Sequence, residues 1–114
     1  MSAESPRGTA LVTGASSGIG EATVRALAEA GFATVAAARR VDRCEALADE
    51  VGGRAVALDV TDPASVESMA AELPEVSVIV HSAGGALGLD PIEEADEEKW
   101  RTMYESNVMG VMRV

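Results

Sequence analysis

A handful of residues in this chain have types and positions suited to chemistry: three glycines in one turn, a pair of arginines, an aspartate and an asparagine. The glycines stand at 14, 18 and 20, in Thr13-Gly14-Ala15-Ser16-Ser17-Gly18-Ile19-Gly20. An apolar run, Ala10-Leu11-Val12, leads into them. Behind them Ile19, Ala22, Thr23, Ala26, Leu27 and Ala30 recur at three- and four-residue spacing, which predicts a helix. A strand, a glycine turn and a helix in succession make a pyrophosphate site. Glycines without Cβ atoms let the backbone approach a phosphate, and the helix start offers free N–H groups and a positive dipole end. A tight turn without a ligand would use the same residues, but here the flanking strand and helix supply the context the motif requires. A nucleoside-triphosphate loop fits poorly, because Glu21 follows Gly20 where that loop needs Lys and then Ser or Thr.

Other polar residues fall where the remaining strands should end. Residues 33–38 form a second apolar run, closed by Arg39 and Arg40. A dinucleotide site selective for NAD places an acid about 20 residues beyond the glycines to accept the ribose hydroxyls. The candidate position, Ala38, carries no carboxylate, and guanidinium groups match a ribose 2′-phosphate in charge and geometry. The pair therefore favours NADP, with NAD as the alternative. Solvated arginines paired to Asp42 or Glu45 are the reading without a ligand.

Asp59 ends the third apolar run, residues 55–58, and either meets an adenine amino group beside the Val60 backbone or simply caps the chain before Thr61 and Asp62. His81 and Ser82, followed by Ala83 and Gly84, close the fourth run, residues 76–80. The single histidine reads as a cofactor-lining or structural group rather than a base. Asn107 shares a helix face with Trp100, Met103, Tyr104 and Val111 by three-to-four spacing. On a buried face its amide must find partners, at a cost of about 1–3 kcal/mol if it does not.

The elements that position these groups alternate strand and helix, which specifies a parallel sheet with right-handed crossovers. Helices are predicted from the glycine turn to about Ala30, through residues 41–51 with Gly52 after them, and from Pro63 at the first helical position to Leu73. A last helix starts near Asp96. The expected architecture is an α/β, Rossmann-type doubly wound sheet with strand order 3-2-1-4, in one domain over residues 1–114. Ligands in such a sheet lie beyond the carboxyl ends of the strands, where all the polar groups above converge.

The totals set bounds. A chain of 114 residues holds one domain, and with 47% apolar residues but only one Trp, one Tyr and one Phe its core must be Ala, Val and Leu. The formal charge is −10, and six acids fall within residues 90–98, a solvated loop and helix start. That balance disfavours nucleic acid and anionic membranes as partners. One cysteine, Cys44, forms no internal disulfide, which fits a cytoplasmic location. Neither a secretory signal nor an apolar run long enough to span a bilayer is visible. One histidine cannot build a Ser-His-Asp triad, and no metal-ligand cluster is present.

Taken together, Thr13-Gly14-x-x-x-Gly18-x-Gly20, Asp59-Val60, Ser82-Ala83-Gly84 and Asn107-x-x-Gly110 resemble the short-chain dehydrogenase/reductase family along nearly the whole chain. Residues 86–91 with Trp100 and Met103 look most like its NADP-dependent 3-hydroxy acid and serine dehydrogenase branch. The resemblance implies that Gly14, Ser16, Ser17, Gly18, Ile19 and Gly20 hold the pyrophosphate and that Arg39 and Arg40 hold the 2′-phosphate. It also implies that Asp59 and Val60 touch adenine, and that His81, Ser82, Ala83 and Gly84 line the ribose beside nicotinamide. Asn107 would be the active-site asparagine that organises a proton-relay water. Hydride would pass between nicotinamide and a small carbonyl or alcohol substrate, in a dimer or tetramer.

Two departures stand out. The family usually carries Asn-Asn-Ala-Gly where this chain has His81-Ser82-Ala83-Gly84. Its Tyr-x-x-x-Lys pair and Ser, which supply acid–base chemistry, are also missing: Val108 lies four residues after Tyr104, and Lys99 precedes it. The expected unit is thus the cofactor half, the N-terminal part of a longer enzyme, with a non-catalytic NADP(H)-binding or partner-binding relative as the alternative.

Overall fold

A computed structural model describes residues 7–84 and 90–114. Most of the terminus ahead of Gly8, and most of the 86–91 stretch used above, lie outside the described residues.

The strands are built from the short apolar runs and lie parallel. β1 (Thr9–Thr13) is central, pairing with β2 (Ala33–Ala38) on one side and β4 (Val78–His81) on the other, and β3 (Arg54–Ala57) lies outside β2. The sheet order is β3-β2-β1-β4, the order expected for a Rossmann-type half. Register places Leu11 beside Val35 and Ile79, and Thr13 beside Ala37 and His81. The chain crosses over β1 between β3 and β4, so the topological switch, and the crevice it opens, fall between β1 and β4.

Alternation along the strands divides the core between two faces. Val12, Ala36 and Ala38 point to one face, where they meet Val24 of α1 (Gly18–Glu29) and Cys44 and Leu47 of α2 (Val41–Val51). Leu11, Val35, Ala37 and Val56 point to the other, where they meet Val66 and Met69 of α3 (Pro63–Glu72). The small side chains of β2 let helices lie close on both sides. Helix ends follow local chemistry. Gly52 closes α2 in the left-handed region at φ 73°, and the Asp62 carboxylate caps α3 at Ala64 N with Pro63 at the first position.

Two expectations need correction, the strand limits and the buried face of the last helix. β3 begins one residue earlier and β4 two residues later than the apolar runs suggest, because ladder pairing rather than hydrophobicity sets strand ends. The last helix starts where expected, as α4 (Glu97–Tyr104) capped by Asp96, and is preceded by a 3₁₀ turn at Ile92–Glu94. It then widens into a π turn (Glu105–Met109) before ending as α5 (Gly110–Arg113). The proposed buried face of that helix is not buried. Trp100 and Tyr104 are each 56% exposed, Val111 is 41% exposed, and Asn107 is exposed. The π turn adds a residue, which offsets Val111 beyond it by about 100° from the 3.6-residue pattern, while Trp100 and Tyr104 precede the turn and are exposed on α4 itself. The helix also seats on the body through its far end, where Gly110 is buried and Val114 packs on the Leu11 cluster.

One side chain fastens β1 to β4 beyond their ladder. Thr13 is 1% exposed, and its Oγ1 accepts from the backbone N–H groups of Ser82 and Ala83, both at 3.2 Å. The Ser82 hydroxyl donates to the Thr13 carbonyl at 2.6 Å. Thr13→Val keeps the shape and deletes the acceptor of two amides. We expect it to destabilise the protein by about 1–3 kcal/mol, read as a lower urea midpoint at unchanged slope.

Candidate functional site

The carboxyl ends of the strands enclose a cleft of about 650 Å³. Its floor is the glycine turn. Gly14 (φ 64°) and Gly18 (φ 59°) take left-handed backbone that other residues adopt only with strain. A Cβ on Gly14 would fall 2.6 Å from the Ser82 carbonyl oxygen, and one on Gly20 would strike the Gly14 carbonyl and come 2.7 Å from the Ser82 hydroxyl. The start of α1, the end of β1 and the end of β4 therefore meet at a point with no room for side chains. Ser17 sits at the N-cap in extended conformation but makes no side-chain cap bond, so the first N–H groups of α1 face the cleft with no cap. Ser16, Ser17 and Ile19 line the same wall, with Ile19 80% exposed. Gly18 shapes the turn without lining the cleft.

The β2 end supplies positive charge. Arg39 and Arg40 are exposed, line the cleft, and form no ion pair among the described residues, so the pairing with Asp42 or Glu45 of the ligand-free alternative is not seen there. Arg25 shows the contrast: it lies away from the cleft and is engaged by Glu21 and Glu50, at 2.5 and 2.7 Å. Arg43, in the first turn of α2, joins the pair on the cleft wall. Sequence reasoning overlooked it, although its spacing three residues after Arg40 at a helix start was the available signal. Like α1, α2 has no side-chain cap, whereas α3 and α4 are capped by Asp62 and Asp96. Among α1 to α4, the two without a side-chain cap are those whose starts line the cleft.

Beyond β3, Leu58, Asp59, Val60 and Thr61 form the next stretch of wall. Asp59 Oδ1 accepts from Thr61 N at 2.9 Å and Thr61 Oγ1 at 2.6 Å, while Ser65 Oγ accepts from Asp59 N. These Thr61 bonds hold the Asp59 carboxyl below its ordinary range, helped by the charge of Arg39 and opposed by desolvation. Asp59 thus turns the local chain and lines the cleft at once, while capping α3 falls to Asp62.

Ser82, Ala83 and Gly84 complete the wall after β4. His81 does not join them: it is an exposed residue of β4, in register with Thr13, and lies outside the cleft lining. Thr102, Met103 and Ser106 of the last helix close the far side, a contribution the sequence reading did not identify. Asn107 lies within the π turn, and its Oδ1 approaches Gly84 so closely that a Cβ there would collide with it. Gly84, at φ 132°, is the residue that admits this approach. Ser106 Oγ lies 3.4 Å from the same oxygen. Among the described residues, no group of His, Cys, Asp and Glu could hold a metal ion.

Comparison with known proteins gives a consistent result. The family model described as short chain dehydrogenase matches residues 8–114. An uncharacterized oxidoreductase of Mycobacterium tuberculosis is 57% identical over 105 residues, 92% of this chain and 42% of its own length. An NADP-dependent 3-hydroxy acid dehydrogenase of Salmonella typhi is 42% identical over 108 residues, 90% of this chain and 44% of its own length. Among solved structures, the closed form of a serine dehydrogenase complexed with NADP+ superimposes with a TM-score of 0.86 at 37% identity, covering 92% of this chain and 45% of that one. The chain therefore spans less than half the length of these relatives. With the sheet order, the glycine turn and the cleft it floors already in place, the match over residues 8–114 makes this chain a member of the short-chain dehydrogenase family.

Proposed function

We propose that this chain is the cofactor-holding, N-terminal portion of an NADP-dependent oxidoreductase acting on a small carbonyl or alcohol substrate. The observation that carries the proposal is the trio Arg39, Arg40 and Arg43 at the β2 end of the cleft, which form no ion pair among the described residues, with Ala38 in the place of an acid. In a chain of formal charge −10, three cleft-lining guanidinium groups fit a dianionic 2′-phosphate. The glycine floor fits the pyrophosphate, since Cβ atoms at Gly14 and Gly20 would occupy the space a close backbone approach needs. Bound NADP(H) supplies or accepts hydride.

The residues of this chain bind and orient. Gly14, Ser16, Ser17, Gly18, Ile19 and Gly20 offer backbone N–H groups and hydroxyls to phosphate oxygens. The Asp59 carboxylate as acceptor and the Val60 N–H as donor suit the edge of adenine. Ser82 to Gly84 hold the ribose beside nicotinamide, and Asn107, fixed against Gly84, organises a proton-relay water. Acid–base chemistry by a Tyr-x-x-x-Lys pair lies outside this sequence: Tyr104 is exposed on the last helix and outside the cleft lining. The second reading is a non-catalytic NADP(H)-binding or partner-binding relative. Carbonyl-dependent NADPH oxidation by the intact protein separates the two, and cofactor binding without turnover of 3-oxo acids, serine or simple ketones supports the second. Assembly into a dimer or tetramer and a cytoplasmic location belong to the same proposal; no helix among the described residues is long and apolar enough to cross a membrane.

Two substitutions test the cofactor reading by fluorescence titration. Arg39→Ala should weaken NADPH by about 10–100-fold, the loss of a charge-assisted contact, while leaving NADH nearly unchanged. Tighter NADH than NADPH in the wild type, with no effect of Arg39→Ala, would overturn the NADP assignment. Gly20→Val places a branched side chain against Gly14 and Ser82 and should abolish binding of both cofactors.

A further inference from the structure

Arg113 stands at the end of the last helix, far in sequence from the β3 end, yet its contacts reach that side of the cleft. Its side chain is 17% exposed, much less than the 69% of Arg101 on the same helix. Nη2 pairs with Glu105 Oε1 at 2.5 Å, and Nη1 donates to the Val60 carbonyl at 3.3 Å. Glu105 opens the π turn that contains Asn107, and Arg113 lies just beyond it, so the ion pair brackets that turn. A second feature brings the same two segments together: Gly110 is buried, and a Cβ there would lie 2.7 Å from Val60 Cγ2. The last helix thus seats on Val60 by close packing and is fastened there by a partly buried arginine. Val60 lines the cleft on one side of this contact, and Ser106 lines it on the other.

We propose that Arg113 is a positioning residue that couples the Asp59–Val60–Thr61 wall of the cleft to the π turn carrying Asn107. By holding the Val60 carbonyl from the helix side, it fixes the peptide plane of that wall. By holding Glu105, it fixes the width of the turn that aims Asn107 at Gly84. For the cofactor, this inference rests on the reading above that adenine lies against Asp59 and Val60. The coupling itself does not depend on that reading. Removing the guanidinium loosens both segments together.

The test uses the intact protein with Arg113→Met, Arg113→Lys, Glu105→Gln and the double variant Glu105→Gln/Arg113→Met. Hydrogen exchange without cofactor should speed up in Arg113→Met at residues 59–61 and at 105–110. Titration should show NADPH and NADH weakened by the same factor, about tenfold, because the adenine end is common to both, in contrast to the NADPH-selective effect of Arg39→Ala. The double variant should be no worse than Arg113→Met alone. Arg113→Lys keeps the charge but not the fork that reaches two acceptors, so it should fall between, and it carries the test if the Met variant does not fold. Unchanged exchange at 59–61 would overturn the coupling. Exchange that changes while both cofactors bind as in wild type would overturn the role in binding. A wild type that binds neither nucleotide would refute the cofactor reading, with the exchange data still deciding the coupling.

Discussion

The site depends on a close backbone approach. Where β1 ends, Gly14 lies against the Ser82–Ala83 backbone, and Gly20 lies against Gly14, leaving no space for a side chain at either glycine. Thr13 locks the arrangement from below by accepting both amides of the β4 end. The constraint is steric first and electrostatic second. Because the backbones meet, the N–H groups of the α1 start sit at the mouth of the crevice rather than against side chains, and the helix dipole is left to act on whatever enters. Only then do the outer polar groups, arginines at one end and the Asn107 turn at the other, gain a common axis.

Charge is distributed against the bulk of the molecule. The chain is strongly acidic, yet the cleft collects Arg39, Arg40 and Arg43, while Arg25, Arg101 and Arg113 are each engaged by glutamates elsewhere. Exposed ion pairs of the Arg101 kind contribute little to stability. Their pairing with glutamates contrasts with the cleft arginines, which form no ion pair among the described residues and concentrate positive potential at one end of the crevice. Capping follows the same division, with α3 and α4 satisfied by their own aspartates and α1 and α2 left open toward the cleft.

The last helix joins the cleft by an indirect route. Its early turns stand clear of the body with Trp100 and Tyr104 exposed, and its later turns are drawn in at Gly110 and Arg113. The π turn lies between these two regimes and absorbs the mismatch, which is where Asn107 meets Gly84. Such single-turn widenings within α-helices occur mostly where packing or a local contact interrupts the regular spacing, here where Asn107 approaches Gly84.

The sequence by itself determined the strand order and most of the cleft. Short apolar runs separated by helical periods leave few topologies open, and Gly14, Arg39, Asp59 and Ser82 each sit at a strand end, where chain direction alone brings them to one edge. What it could not determine were features that depend on neighbours remote in the chain. Arg43, in the first turn of α2, lines the cleft, while His81, at the end of β4 beside Thr13, does not, and neither placement can be read from local sequence. The face of the last helix was misread because periodicity shows which side chains share a face but not whether anything packs on it: Trp100 and Tyr104 stand exposed, and the helix meets the body at Gly110, against Val60 fifty positions away in the chain. Local periodicity writes the elements and their order; contacts between distant backbones, fixed only once those elements pack, decide which side chains share the cleft.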